Sequence, residues 1–137
     1  MALTHLADTS VLTRLTKPPI RPVVAAMLEA GTVARCAMSD LEIGYAARNA
    51  AEWDALHRAL NQFQFVAVEA VDFDRAAGIQ RALDAMSQRG RKVPDLLIAA
   101  AADRRGLTVL HYDNDFEMIS EVTGQPTQWV AARGEAD

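Results

Sequence analysis

LADTSVL, residues 6–12, decides how the rest of the chain is read. A short apolar approach, Leu6-Ala7, meets a carboxylate at Asp8, and apolar residues resume at Val11 after Thr9-Ser10. The pattern is that of a core strand turning directly into a helix. Asp8 has an ordinary job at such a turn: an Asp side chain accepts from the first helical N–H groups and stabilises the helix by about 1 kcal/mol. A second job is open to it, as one wall of a site whose other walls lie far along the chain.

Working outward, strands and helices alternate. HLADTS (5–10) gives the first strand, ending near Asp8, and SVLTRLT (10–16) predicts a short helix stopped at Lys17-Pro18-Pro19, because proline disfavours helical geometry in the residue before it. PVVAAMLEAG (22–31) reads as a second helix with Gly31 as its C-cap. TVARCAM (32–38) alternates apolar residues and reads as a strand. Ser39 and Glu42 then have the capping-box spacing for a helix through SDLEIGYAARN (39–49). AAEWDALHRALNQF (50–63) continues helically with Trp53, Leu56, Leu60 and Phe63 on one face. FVAVEAV (65–71) is a third strand, and DFDRAAGIQRALDAMSQRG (72–90) a long helix closed by Gly90. VPDLLIAAAADRRG (93–106) has Pro94 at the first helical position and Gly106 at the end. LTVLHYD (107–113), DFEMISEV (115–122) and PTQWVAA (126–132) complete the series as strand, helix and strand. Helices between successive strands imply an α/β fold: a five-stranded, mainly parallel sheet with helices on both faces.

Bulk properties fit one domain over residues 1–137, long enough to bury a core. No apolar run approaches the roughly 20 residues that span a bilayer, and MALTHLADTS lacks the basic and apolar regions of a signal peptide. The lone cysteine, Cys36, lies in an apolar run and reads as a small core residue suited to a reducing cytoplasm. A net charge of −4 argues against a nucleic-acid binder, but setting four acids of 18 aside as a metal site leaves 14, equal to the 14 Lys and Arg. Charge therefore excludes neither reading.

Four carboxylates stand out, and each has a plain structural explanation. Asp8 can cap a helix, Glu42 can complete a capping box, Asp95 can meet a helix dipole, and Asp113 can end a strand with Asp115 capping the next helix. Their joint placement says more. In a parallel α/β sheet the C-termini of strands and the N-termini of the following helices share one edge, where such folds place ligands. Asp8, Glu42, Asp95 and Asp113 all fall there. Carboxylates gathered without compensation repel one another and raise their pKa values. A hard divalent cation with oxygen ligands, Mg²⁺ or Mn²⁺, removes that cost.

Asp8-Thr9-Ser10, Glu42 in the helix after the second strand, VPDLLIAAAA with Asp95, and LHYDNDF with Asp113 and Asp115 resemble the acidic signature of PIN-domain ribonucleases. More narrowly the chain resembles the VapC toxins of bacterial toxin–antitoxin pairs, over nearly its whole length. The resemblance implies five parallel strands and a metal-dependent endoribonuclease in which Asp8, Glu42, Asp95 and Asp113 hold Mg²⁺ or Mn²⁺. It implies supporting roles for Ser10 and Asp115, a cognate VapB-like antitoxin, self-pairing as a homodimer, and RNA such as tRNA or rRNA as substrate. The first acid sits further from the start than is usual in that family. Arg14, Lys17, Arg48, Arg81, Arg104 and Arg105 are available for RNA phosphates, and Arg14 and Lys17 are favoured because they follow Asp8 closely. Trp53, Trp129 and His111 read as packing residues. Met27, Met38, Met86 and Met118 read as fillers of the core or of an apolar surface.

Rival acidic folds fit less well. A haloacid-dehalogenase-type phosphatase needs a second Asp where Ser10 stands, a receiver domain needs a lysine missing from AARGEAD, and an integrin-type Asp-x-Ser-x-Ser site is broken by Leu12. A PIN-fold binding module with little nuclease activity, or a PIN nuclease acting in RNA processing or on DNA, is the alternative.

Overall fold

Three residues of extended chain, His5–Ala7, form the central strand β1, with a partner strand on each side. The structure, a computed structural model, describes residues 2–87 and 92–137. After β1 come α1 (Thr9–Leu12), α2 (Arg21–Ala30), β2 (Val33–Cys36), α3 (Ala37–Tyr45), α4 (Ala50–Leu60) and β3 (Gln64–Val66). They are followed by α5 (Ala70–Ala85), α6 (Val93–Arg104), β4 (Thr108–His111), α7 (Asp115–Thr123) and β5 (Thr127–Trp129). The strands lie in the order β3-β2-β1-β4-β5, and every pairing is parallel. His5 is opposite Val33 on one side and Thr108 on the other. The order reverses at β1, so a crevice opens beyond the ends of β1 and β4.

Alternation along the strands splits the core in two. Leu6, Ala34 and Val109 pack against α5, α6 and α7. Ala7, Val33 and Leu110 face the layer that holds Val11, Val24 and Leu60. Helix α6 is buried along eight consecutive residues, Asp95–Ala102, four of them alanines that let its neighbours approach closely. Asp72, fully buried near the start of α5, accepts from Arg104 Nε at 2.6 Å and ties α5 to the end of α6. Among the described residues no helix is long and apolar enough to cross a membrane.

The alternation of elements follows the sequence reading, with local corrections. The helix expected over 10–16 ends at Leu12 and gives way to turns, in which Arg14 N–H bonds Val11 and Lys17 N–H bonds Arg14 ahead of the two prolines. The Ser39/Glu42 capping box does not form. Helix α3 starts at Ala37, straight from the extended Cys36, and this places Ser39 inside the helix, fully buried. Asp115 does not cap α7. Asn114 is the N-cap residue, and Asp113 Oδ1 accepts from the Asp115 N–H at 2.9 Å. Helix α6 begins one residue earlier than expected, with Pro94 second. Trp53 packs by stacking on His57 at 3.6 Å between ring centres while 45% exposed, and Met86, 55% exposed, lies on the surface rather than in the core. Gly90, expected to close α5, lies outside the described residues.

The segment after β5 is strapped back over the crevice by one side chain. Tyr112 Oη donates to Asp137 Oδ1 and accepts from the N–H groups of Gly134 and Ala136, each at 2.8 Å. Arg14 reinforces the strap from the other side, its Nε donating to Ala136 O at 3.2 Å and its guanidinium lying 5.1 Å from the Tyr112 ring centre. Tyr112→Phe keeps the ring but removes all three hydroxyl bonds and leaves the buried Ala136 N–H without a partner, a loss of about 1–3 kcal/mol. Hydrogen exchange should quicken at Gly134 and Ala136 while the amides of β1 and β4 keep their protection. Uniform quickening across the sheet would show that the strap is part of the global core.

Candidate active site

The end of β1 sets the geometry. Asp8 N–H bonds Leu110 O at 2.8 Å, which fixes the ends of β1 and β4 side by side. Asp8 Oδ2 accepts from Ser10 N at 3.0 Å and from Ser10 Oγ at 2.6 Å, so the residue does cap α1. Ser10 Oγ in turn accepts from Tyr112 N at 2.8 Å and links the cap to the chain leaving β4. The capping job occupies one oxygen. The other, Asp8 Oδ1, is buried with no hydrogen-bond partner among the described residues.

The remaining acids arrive from three further elements. Glu42 comes from α3, and Thr9 Oγ1 donates to its Oε1 at 2.7 Å while lying 2.8 Å from Ser39 Oγ. The burial of Ser39 thus serves a contact between α1 and α3 that steadies Glu42. Asp95, in the first turn of α6, is 4% exposed, and its Oδ2 is also buried and unpartnered. Asp113 follows β4, with Lys92 Nζ 3.2 Å from its Oδ2. Asp8, Glu42, Asp95 and Asp113 line one cleft of about 440 Å³. The tightest grouping is Asp95, Asp113 and Asp115, each offering an oxygen within 4.8 Å of the others. Asp115 thus stands beside two of the four acids.

The electrostatics register the crowding. Burial, with the Glu42 charge added and the Ser10 bonds opposing, raises the Asp8 carboxyl to about 6. Burial, then the charges of Asp8 and Asp113, holds Asp95 well above the ordinary carboxylate range. Burial alone would lower the Lys92 ammonium, but its bond to Asp113 and the charges of Asp113, Asp95 and Asp115 outweigh that and raise it. His111 behaves as the core residue expected. It is fully buried against Phe116 and Trp129, and burial pushes it down to about 4, so the ring is neutral and its Nδ1 accepts from Asp113 N–H.

An all-oxygen donor set with two buried, unpartnered carboxylate oxygens and raised carboxyl pKa values is suited to a hard cation. Of the two cations favoured for RNA phosphates, Arg14 lines the cleft, whereas Lys17 is exposed and does not line it. Arg104 and Arg105 are taken up by Glu69 and Asp72, and Arg48 pairs with Glu52. Sequence reasoning missed Thr9, Lys92, Tyr112 and Arg133. Thr9 and Tyr112 adjoin recognised acids and Lys92 precedes Asp95 by three residues, which is a signal of position; nothing in the sequence marks Arg133.

A PIN domain family model matches residues 6–122. Ribonuclease VapC51 of Mycobacterium tuberculosis is 55% identical over 137 residues, covering 100% of both chains. Ribonuclease VapC21 of the same organism is 40% identical over 142 residues, covering 99% of this chain and 100% of its own. A DNA-bound VapBC crystal structure from Salmonella typhimurium shares the fold, with a TM-score of 0.73 at 18% identity, over 92% of this chain and 97% of that one. This chain belongs to the PIN-domain family, on its VapC branch.

The raised Asp8 carboxyl has a signed consequence for the metal-free protein. Its folded pKa of about 6 lies above the ordinary value of 3.8, so the folded state holds a proton that the unfolded state has released. Stability due to Asp8 is therefore full below pH 4 and lost as pH rises to 6. Asp8→Asn mimics the protonated form and does not titrate. In EDTA its unfolding free energy relative to the parent should grow between about pH 4 and 6 and then level off. A difference that is flat with pH, measured by urea unfolding, would show that Asp8 is not strained by its surroundings.

Proposed function

We propose that this chain is a divalent-metal-dependent endoribonuclease, the toxin of a toxin–antitoxin pair. The observation that carries the reading is the pair of buried, unpartnered oxygens, Asp8 Oδ1 and Asp95 Oδ2, in a cleft of acids that burial and mutual charge hold at raised pKa. Full-length relatives named as ribonucleases support the chemistry. In this reading Asp8, Glu42, Asp95 and Asp113 hold Mg²⁺ or Mn²⁺, and Asp115 joins them as a ligand. When bound, the ion supplies Lewis acidity toward a phosphoryl oxygen and lowers the pKa of water beside it.

The chain's own residues do the positioning. Ser10 fixes Asp8 and Thr9 fixes Glu42, so both carboxylates present set orientations. Arg14 and Arg133, both lining the cleft, take the phosphates that flank the scissile bond, and Lys17 lies further out along the strand. A recessed acidic floor favours a splayed single-stranded loop over a duplex, which suits the loops of tRNA or rRNA.

The partner is a VapB-like antitoxin, a reading supported by the VapBC complexes that share this fold. Leu41 and Tyr45, 70% and 94% exposed on α3, flank Glu42 and offer apolar surface for a protein partner or for a second copy in a homodimer. The working compartment is the cytoplasm, where the buried thiol of Cys36 stays reduced.

The test is cleavage of a total small-RNA pool by the purified chain with Mg²⁺ or Mn²⁺, with EDTA, and with Asp8→Asn. Discrete fragments that vanish in EDTA and fall at least about 100-fold in the variant are expected. Cleavage persisting in Asp8→Asn would refute the site. No cleavage of any RNA by the folded, metal-loaded chain would refute the activity and favour a binding module or a DNA substrate.

A further inference from the structure

Lys92 is the N-cap residue of α6, three positions before Asp95, and its backbone carbonyl accepts from the Asp95 N–H at 3.1 Å. The same residue that starts the helix bearing Asp95 sends its ammonium to Asp113 Oδ2, 3.2 Å away. Asp113 Oδ1 is already engaged by the Asp115 N–H, so Oδ2 is the oxygen left to face a ligand. Asp113 is also a member of the trio whose oxygens lie within 4.8 Å of one another. Among the described residues, the other cations lining the cleft bond neutral oxygens and not the site's carboxylates: Arg14 the carbonyls of Ser10 and Ala136, and Arg133 Asn114 Oδ1.

We infer that Lys92 is a built-in counter-cation that competes with the divalent ion for Asp113 and thereby sets the metal affinity of the site. The inference rests on the metal-binding reading of the acidic cleft. An ion entering among Asp95, Asp113 and Asp115 meets an ammonium on one of its oxygens and must displace it. The Lys92 side chain is 63% exposed, and its flexible four-carbon stem lets the charge swing into solvent once the metal takes its place. Without metal, the ammonium offsets part of the mutual repulsion of the acids, so the empty site is tolerated. With metal, it is a like charge at the edge of the site. The cost of displacing it is modest, because a half-exposed ion pair contributes a factor of about 1.5–5 in an equilibrium constant. Residual repulsion between the ammonium and a divalent ion adds to this, and about three- to tenfold weaker metal binding is the expected total.

The test is Mn²⁺ titration of the full chain, followed by the electron paramagnetic resonance signal of free Mn²⁺. It uses the parent, Lys92→Met, Lys92→Gln and Lys92→Arg. Both neutral variants should bind Mn²⁺ about three- to tenfold more tightly than the parent, and Lys92→Arg, which can still reach Asp113, should stay near the parent value. Thermal unfolding supplies an independent readout. In EDTA the neutral variants should melt below the parent, and saturating Mn²⁺ should raise their Tm by more than it raises the parent's. Mn²⁺ binding by the parent with equal or weaker binding by both neutral variants would overturn the role of Lys92 and leave the metal site standing; that pattern would also follow if Lys92 served only to contact substrate phosphate. No Mn²⁺ binding by the parent would overturn the metal site and this inference together.

Discussion

Carboxylates crowded at the carboxyl edge of a parallel sheet are the constraint from which the rest of this structure follows. Asp8 and Asp95 are 2% and 4% exposed, and each keeps one oxygen with no partner among the described residues. Such groups are costly to bury in charged form, and mutual repulsion adds to the cost. The surroundings are arranged to limit it. Ser10 spends its hydroxyl on Asp8, Thr9 donates to Glu42, and Lys92 brings a positive charge to Asp113. What these contacts leave unanswered is the pair of buried oxygens, Asp8 Oδ1 and Asp95 Oδ2, to which the proposed divalent ion would bring its charge.

The scaffold is stiff where the acids are attached. Strands β1 and β4 are neighbouring inner strands, joined in register from His5–Thr108 to Ala7–Leu110 and tied again at their ends by Asp8 N–H and the Ser10 hydroxyl. Helix α6, which carries Asp95, is buried on every turn and anchored at its far end by Arg104 on Asp72. Such placement costs stability locally and gains fixed geometry for the carboxylate oxygens. The segment holding Arg133 and Asp137 differs in kind. Its polar anchors are the Tyr112 hydroxyl, the Arg14 guanidinium and the Arg133 bond to Asn114, with Ala136 buried beneath them.

Much of this was legible in the sequence because it is local. The alternation of apolar runs, the turn prolines and Gly31 with its positive φ locate the elements, and the order of elements places Asp8, Asp95 and Asp113 on one edge. Glu42 was found for the wrong local reason. Its capping box does not form, because the extended Cys36 starts the helix early and Ser39 is drawn into a contact with Thr9 some 30 residues away in sequence. Lys92, Tyr112 and Arg133 escaped because their roles exist only in the folded chain. A lysine at a helix start, a tyrosine at a strand end and an arginine in a polar tail are common in any sequence. Only the meeting of β1, β4, α6 and the segment after β5 makes them parts of one cleft. Lys17 shows the reverse: close to Asp8 in sequence, it lies outside the cleft once the chain turns at the prolines.

The central claim is that these acids are arranged to hold a divalent ion. Crystals of the chain grown with Mn²⁺ and measured at the manganese absorption edge test it most directly. The account predicts an anomalous peak bonded to carboxylate oxygens of Asp95 and Asp113 at about 2.0–2.2 Å, with Asp8 Oδ1 meeting the ion directly or through one water. A well-ordered cleft without a peak, or manganese held only at other residues, would contradict it.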